Sequence, residues 1–307
     1  MEDIKDFESF YESRLRPFLA ELDAQSNDAS KWATAGIASV ILVVVCFVID
    51  QSLAGFLFII LLFVSVRKYV GTKDDLTHTF KETIIREIIK YLNPGAEYNP
   101  SKKISSQDYK KSGLFNHVFN NYHGEDFING FYKGVNFYCS ELVTSYNSKG
   151  ESGDSQSIFS GLFFAAPINS AFTRATYVWP CDDDQFPKSI ADEYFHRFMS
   201  LPKVYRVKAD NPEFEKHFVV YSTFPSEARQ IIDTEMMSRM FRFKNQIKRD
   251  TRFSFVDGVC YVAIAVDEDL LEPSVSNPGN KENIKEYFFS ILLILSIINQ
   301  LNLSRLL

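Results

Sequence analysis

The two longest apolar stretches of the chain lie close together near its N-terminus. Residues 32–49 read WATAGIASVILVVVCFVI without a charge, and residues 53–66 read LAGFLFIILLFVSV. Only residues 50–52 separate them, so a tight turn would join the two arms. Because a spanning helix needs about 20 apolar residues, the pattern predicts a transmembrane helical hairpin over residues 32–70. The alternative is a buried helical hairpin of a soluble core, which the absence of charge on both arms disfavours.

The charges that flank the hairpin predict its orientation. Lys31 precedes the first arm, and Arg67, Lys68 and Lys73 follow the second, whereas the connecting turn carries no Lys or Arg. Basic residues favour the cytoplasmic side of a membrane, so we expect both termini to be cytoplasmic. The acidic N-terminus and the late start of the apolar run argue against a secretory signal peptide.

Amphipathic helices are predicted on both sides of the hairpin. Apolar residues recur at spacings of three and four, as on one face of a helix, at Phe7, Tyr11, Leu15, Phe18 and Leu22 and again at Phe80, Ile84, Ile85, Ile88, Ile89 and Leu92. Asn93, Pro94 and Gly95 would end the second helix. The chain therefore divides into an N-terminal cytosolic helix (residues 1–31), the transmembrane hairpin (32–70) and a cytosolic domain (71–307), with the two amphipathic helices packed as a stalk.

Strand and helix signals alternate through the first half of the cytosolic domain. The spacing of Leu114, Phe115, Val118 and Phe119 predicts a short helix, and strands are expected to begin near Phe127. Apolar and polar positions alternate at residues 135–139, as in a half-buried strand. Residues 158–166 and 171–178 are predicted to form a hairpin across the intervening turn.

The second half of the domain adds further elements. The predicted elements are a helix at 189–199, strands at 204–207 and 217–221, a helix at 225–247 that breaks near Asp233, and a hairpin at 252–265. Asp257-Gly258 in that hairpin suits a type I′ turn. Hairpins and helices without a repeated strand–helix–strand unit predict an α+β fold, in which antiparallel β-hairpins pack with helices. Residues 288–303 are apolar for only about a dozen positions, which suits a buried core helix better than a third membrane span.

Composition excludes several classes of protein. The chain has 307 residues, 46% of them hydrophobic and 23% charged, with a net charge of −6. This composition is unlike that of a disordered chain, and the acidic balance argues against a nucleic-acid partner. The four cysteines lie far apart and form no C-x-x-C pair, so neither a zinc ribbon nor a dithiol redox site is expected.

Three stretches carry a resemblance to a known family. They are FEKHFVVYSTFPSEARQIIDTEMMSRM (214–240), IFSGLFFAAPINSAFTRATYVWP (158–180) and FSFVDGVCYVAIAVDEDLLEP (253–273). Together with YESRLRPFLAEL before the apolar hairpin, they resemble the bacterial domain of unknown function 3137 family. The resemblance implies a protein of the bacterial inner membrane with a cytosolic domain and no established activity. Genes of that family often neighbour those of LemA-type membrane proteins, which implies a LemA-type protein as a candidate partner.

Candidate binding residues surround the Glu-Ala-Arg sequence at 227–229. Glu227 and Arg229 would begin a helix that follows a strand, and a carboxylate is favoured in the first turn of a helix. With Glu215 and Tyr221 they could form a ligand, partner or catalytic site. In the alternative interpretation, which the absence of a paired nucleophile or base favours, Arg229 is a structural tie between helix and sheet.

Metal-ligating residue types also occur close together. His117, His123, Glu125 and Asp126 could supply imidazole and carboxylate ligands, but they lack helical H-x-x-x-H spacing. Residues 182–184 are three consecutive aspartates without an EF-hand pattern. A solvated helix end and a charged loop explain both sets, so no metal and no cofactor is expected.

Basic residues crowd the end of the predicted helix at 225–247. They are Arg239, Arg242, Lys244, Lys248, Arg249 and Arg252. Such a patch could rest on anionic lipid headgroups, at about 1 kcal/mol per basic residue. Basic side chains also suit the C-terminus of a helix, and a solvated helix face is the alternative.

The pattern as a whole predicts a membrane-anchored interaction or scaffolding module. Its partners would be the lipid bilayer and another protein, and a homo-oligomer is a further expectation. The alternative is a membrane-tethered enzyme or small-ligand-binding domain with a pocket near residues 227–229. No nucleotide-binding or hydrolase motif supports an enzyme, and the lack of a polar face on either apolar helix disfavours an oligomeric channel.

Overall fold

The computed structural model describes residues 7–115, 117–147, 155–169, 171–181, 204–267 and 269–307. These residues form two compact units. Residues 7–92 and 271–290 belong to a helical unit, and residues 93–270 and 291–307 belong to a unit built on a β-sheet. The predicted α+β class, with two apolar helices ahead of an antiparallel sheet that packs with helices, is confirmed.

Two long helices dominate the helical unit. Helix α1 runs from Phe7 to Val48 and helix α2 from Leu53 to Leu92, and both are long and apolar enough to cross a membrane by length and composition. Each contains one π-helical turn, at Tyr11–Leu15 and at Lys81–Ile85. α1 continues through residue 31 without a break, so the amphipathic segment and the first apolar arm are one helix.

Small residues line the contact between the two helices. Ser39 and Ser65 are buried, and each hydroxyl donates a hydrogen bond to the carbonyl four residues earlier in its own helix. A Cβ atom on Gly36 would lie 3.8 Å from the Cβ of Ser65, and one on Gly55 would lie 3.4 Å from the Cβ of Cys46. Small side chains let two helix backbones approach closely, which is typical of helix pairs in lipid.

The predicted apolar stripes on α1 and α2 are buried at most positions. Phe7, Leu15 and Ile84 are fully buried. The ring of Phe7 meets that of Phe288 edge to face at 5.3 Å, and Asn93, Pro94 and Gly95 follow the end of α2 as expected. These stripes therefore pack against residues 271–290 of the same unit.

Within the described residues, the strands of the other unit form one nine-stranded antiparallel sheet. Its strands run in the order β1-β2-β3-β4-β9-β8-β5-β7-β6. In chain order they are β1 (Glu97–Asn99), β2 (Asn121–Tyr132), β3 (Val135–Asn147), β4 (Ser155–Pro167), β5 (Thr176–Pro180), β6 (Tyr205–Val207), β7 (Phe218–Ser222), β8 (Thr251–Val256) and β9 (Val259–Ala265).

Two-residue turns close two of the hairpins. Asp257 and Gly258 join β8 to β9 with φ of 48° and 71°. Lys133 and Gly134 join β2 to β3 with φ of 46° and 87°. Positive φ at both central residues is the requirement of a type I′ turn, so the predicted Asp-Gly hairpin is confirmed.

The predicted hairpin between residues 158–166 and 171–178 is wrong. β4 pairs with β3 and β9, whereas β5 pairs with β7 and β8. The β8–β9 hairpin lies between them, and its turn holds the connecting segment. The backbone N–H of Ile168 donates to the carbonyl of Gly258, and the N–H of Gly258 donates to the carbonyl of Phe172, both at 2.7 Å.

The predicted helix at residues 114–119 is also wrong. A short helix, α3, lies earlier at Ser106–Lys111, with Ser105 as its N-cap. Gly113, with φ of +62°, follows its end, and Leu114 and Phe115 are buried without being helical. β2 begins at Asn121, six residues before the expected start. The sequence did not reveal this start, because a bulge between Glu125 and Ile128 interrupts the alternation of apolar and polar residues that marks a strand.

Four further α-helices lie in the described residues of the C-terminal half of the chain. They are α4 (Pro212–Glu215), α5 (Pro225–Ile231), α6 (Thr234–Ile247) and α7 (Lys281–Gln300). The expected break near Asp233 is confirmed, because Asp233 is the N-cap of α6. The apolar residues of α7 are largely buried, so the core-helix interpretation of residues 288–303 is confirmed. The helix expected at 189–199 lies outside the described residues.

Aromatic side chains fill the core on one side of the sheet. Tyr109 stacks on Phe115 with ring centroids 5.4 Å apart and also contacts Phe163. Its hydroxyl lies 2.9 Å from the hydroxyl of Thr144. Burial therefore leaves the polar tip of this tyrosine hydrogen-bonded, as buried hydroxyls require.

Gly161 offers a test of the pairing between β4 and β9. Its φ is +140°, and a Cβ atom there would lie 2.2 Å from the carbonyl oxygen of Ile264. We expect Gly161→Ala to lower the free energy of unfolding by about 3 kcal/mol, through backbone strain and a clash with β9. Urea unfolding of the full-length protein, followed by tryptophan fluorescence, measures the change.

Gly134→Ala is the matched control. Gly134 also has positive φ, +87°, but its Cβ would have no atom of the described residues within 4 Å. Only backbone strain then applies, so a loss of about 1 kcal/mol is expected. Equal losses in the two variants would contradict the close approach of β9 to Gly161.

Candidate functional site

A small cleft lies beside the predicted Glu-Ala-Arg helix. It has a volume of about 170 Å³ and lies between strands β6 and β7 and helices α5 and α6. Apolar side chains form much of its lining, and charged residues join them. The lining residues are Val207, Lys208, Ala209, Asp210, Val220, Ala228, Arg229, Ile232, Asp233, Thr234 and Met237. Of the four candidate residues at this site, Arg229 is the one that lines the cleft.

Glu227 makes a structural contact elsewhere on α5. Its Oε1 accepts a hydrogen bond from the backbone N–H of Arg174 at 2.9 Å. The guanidinium of Arg174 lies over the ring of Phe224, 5.9 Å from the centroid. Glu227 therefore ties the first turn of α5 to the segment that precedes β5.

Tyr221 and Glu215 also lie apart from the cleft lining. Successive side chains of a strand point to opposite faces, and Val220 lines the cleft while Tyr221 packs near Trp179, with ring centroids 6.3 Å apart. Burial raises the pKa of Tyr221. Glu215 accepts a hydrogen bond from the backbone N–H of Ala209 at 3.0 Å. The structure thus does not bring Glu215, Tyr221, Glu227 and Arg229 together around one cavity.

An ion pair that the sequence analysis missed lies at the edge of the cleft. Arg305 donates two hydrogen bonds of 2.9 Å to the carboxylate of Asp233, and this contact lowers the pKa of Asp233. Asp233 also accepts from the N–H of Met236 as the N-cap of α6. The break in the helical pattern identified Asp233, but no local signal linked it to a residue 72 positions away.

The basic residues of α6 and of the segment that follows it divide into engaged and exposed side chains. Arg239 pairs with Glu235 at 2.7 Å, and the ammonium of Lys244 lies over the ring of Phe218. Arg252 lies over the ring of Phe115. Arg242, Lys248 and Arg249 are exposed. A contact of these exposed residues with anionic headgroups stays a prediction.

The metal candidates do not converge. His123 is exposed, whereas Asp126 is buried in the bulge of β2 and accepts a hydrogen bond from the hydroxyl of Tyr98 at 2.5 Å. Within the described ranges, no group of three or more His, Cys, Asp or Glu side chains could hold a metal ion. Residues 182–184 lie outside those ranges.

Glu141 is a buried carboxyl that the sequence analysis did not single out. It lies on β3 with 6% of its surface exposed, opposite Glu125 on β2, and accepts a hydrogen bond from the backbone N–H of Leu270 at 3.0 Å. Burial raises its pKa to about 7, and the nearby carboxylates of Asp126, Asp269 and Glu125 add to the increase. The alternation of apolar and polar residues along a strand does not indicate which carboxyl will have a raised pKa.

Comparison with known proteins assigns the family. Residues 157–303 match the family model described as "Protein of unknown function (DUF3137)". This part, just under half of the chain, is a DUF3137 domain. It begins in β4 and extends past the end of α7, so it contains the cleft beside Arg229, whereas the two long apolar helices precede it. No curated protein and no solved structure matched the chain.

We expect Glu141 to make the stability of this protein depend on pH. Because its pKa rises from 4.5 to about 7 on folding, the folded state binds the proton more tightly. The resulting stabilisation is complete below about pH 4.5 and is lost as the pH rises through 7, by about 3 kcal/mol. We expect Glu141→Gln, which cannot ionise, to gain about that much stability over the wild type between pH 4.5 and pH 8.5 in urea unfolding.

Glu97→Gln is the control for this experiment, because Glu97 lies on β1 and is exposed. This variant removes a carboxyl from the surface of the same unit and leaves Glu141 in place. If Glu141→Gln changed the pH dependence of stability no more than Glu97→Gln does, burial would not raise the pKa of Glu141 in the folded protein.

Proposed function

We propose that this protein is anchored in the bacterial inner membrane by α1 and α2, with both termini in the cytoplasm and the sheet unit acting there as an interaction module. The observation that carries the proposal is the exposure of large apolar side chains along both helices. Phe47 is 68% exposed and Leu53 86% exposed, and the most apolar windows of α1 and α2 are only 17% and 11% buried. An apolar surface of this extent is not stable in water.

The dimensions of the hairpin support the same proposal. Residues 32–48 and 53–70 each cover about 26 Å at about 1.5 Å per residue, close to the roughly 30 Å of a hydrocarbon core. The basic residues Lys31, Arg67 and Lys68 lie at the ends of these segments away from the turn. Basic flanks favour the cytoplasmic side, and the family resemblance favours the inner membrane.

Cysteine labelling tests the proposed topology. We expect Gln51→Cys, in the exposed turn between the helices, to react with a membrane-impermeant maleimide added to intact spheroplasts. Cys181 is the native exposed cysteine of the sheet unit, so the wild type should react only after permeabilisation. A Cys181→Ser variant assigns that second signal.

The opposite pattern of labelling would contradict the proposed orientation. Reaction of both cysteines in intact spheroplasts, or release of the protein by alkaline carbonate, would contradict the membrane-spanning hairpin itself.

The sheet unit offers a surface for a protein partner. A shallow depression of about 400 Å³ lies on the outer strands, lined by residues of β1, β2 and β3, and includes Phe131, Tyr138, Asn129 and Asn136. Phe131 is 58% exposed. Exposed aromatic side chains are enriched at protein interfaces, and the family resemblance makes a LemA-type membrane protein the candidate partner.

Co-purification with that LemA-type protein tests the interaction. We expect Phe131→Asp to reduce its recovery with the protein at least fivefold, because a charge would replace the aromatic contact. Val118→Asp is the matched control, since Val118 is 57% exposed in the same unit. Equal recovery with both variants, or no recovery with the wild type, would contradict this partner and this surface.

The alternative function is the binding of a small ligand by the sheet unit. The observation that favours it is the cleft beside Arg229, in which exposed charged residues adjoin buried apolar side chains. Pockets that bind small molecules combine an apolar lining with a few polar groups.

A further inference from the structure

We infer that the cleft between α5 and α6 binds a small carboxylate with an apolar body. The inference rests on the alternative function just described and does not depend on the membrane anchor. Val207, Ala228, Ile232 and Met237 are buried and supply an apolar lining. Arg229 and Lys208 are exposed and line the same cleft.

The two cations are available to a ligand. Neither Arg229 nor Lys208 has a hydrogen-bond or ion-pair partner in the part of the chain that the structure describes. A guanidinium binds a carboxylate through two parallel hydrogen bonds, and these charge-assisted bonds are stronger than neutral ones. Arg229 therefore provides the group that would recognise the acid.

The balance of charge favours an ion with a single negative charge. Two carboxylates also line the cleft. Asp233 is neutralised by Arg305, whereas Asp210 is exposed and offsets one of the two cations. The remaining charge is about +1, which complements a carboxylate better than a phosphate dianion.

The size of the cleft limits the ligand. Its volume of about 170 Å³ holds about six water molecules at about 30 Å³ each, and pockets for larger ligands begin near 300 Å³. Nucleotides are therefore too large. An acid of about eight non-hydrogen atoms fits, with its alkyl group on the apolar lining and its carboxylate at Arg229.

Methionine-methyl NMR tests this inference on the full-length protein in phosphatidylcholine nanodiscs. The probe is 4-methylpentanoate, and the reporters are Met237, which lines the cleft, and the fully buried Met240, which does not. We expect a saturable shift of the Met237 signal with a Kd of about 1 mM, while the Met240 signal stays unchanged.

Two sets of controls separate charge from apolar contact. The neutral 4-methylpentanamide and the short acetate ion should each bind at least tenfold more weakly than 4-methylpentanoate. Arg229→Gln should weaken binding at least tenfold. Arg242→Gln should not, because Arg242 is also exposed but does not line the cleft, and its Nε donates a hydrogen bond to the carbonyl of Ser238 in its own helix.

Three results would overturn the inference. They are the absence of a saturable Met237 shift up to 20 mM, equal binding of acid and amide, and equal losses in the two arginine variants. A Met237 shift that appears when anionic phosphatidylglycerol replaces part of the phosphatidylcholine, without added acid, would reassign the site to a lipid headgroup and would also overturn it.

Discussion

The antiparallel pairing of β4 with β9 holds the sheet together. Residues 161–167 pair with residues 259–265, and this contact joins β1–β4 to the five strands on the other side. Gly161 makes the approach feasible, because the backbone of Ile264 occupies the place where a Cβ would lie. The match to the DUF3137 family begins just before this residue, so the matched part contains both partners of the pairing, while β1, β2 and β3 extend the sheet from its edge.

Local signals explain why some elements could be predicted and others could not. Asp257-Gly258 fixes a type I′ turn through the φ values of two adjacent residues, so the β8–β9 hairpin is visible in the sequence. Asp233 is also a local signal, because it follows the end of α5 and is the N-cap of α6. The insertion of that hairpin between β4 and β5 depends on hydrogen bonds of Gly258 to residues about 90 positions away, and no periodicity along the chain reports such a contact.

The same distinction applies to the candidate site. The sequence placed Tyr221 and Arg229 close together along the chain, but the alternation of side chains on β7 directs Tyr221 away from the cleft that Val220 and Arg229 line. Glu141 was missed for a related reason. The carboxylates around it come from β2 and from the segment after β9, and only pairing across strands brings them together.

Two arginines beside the cleft differ in what they can still bind. Arg305 is engaged by Asp233 and Glu235. Arg229 is exposed at the cleft and has no such partner among the described residues. An arginine that is already in an ion pair would have to give up its carboxylate to bind a ligand. Leaving that carboxylate without a hydrogen bond, when it is buried or half-buried, costs about 1–3 kcal/mol. The proposed recognition of an anion at the cleft therefore rests on Arg229 and not on Arg305, whose ion pairs stabilise the fold.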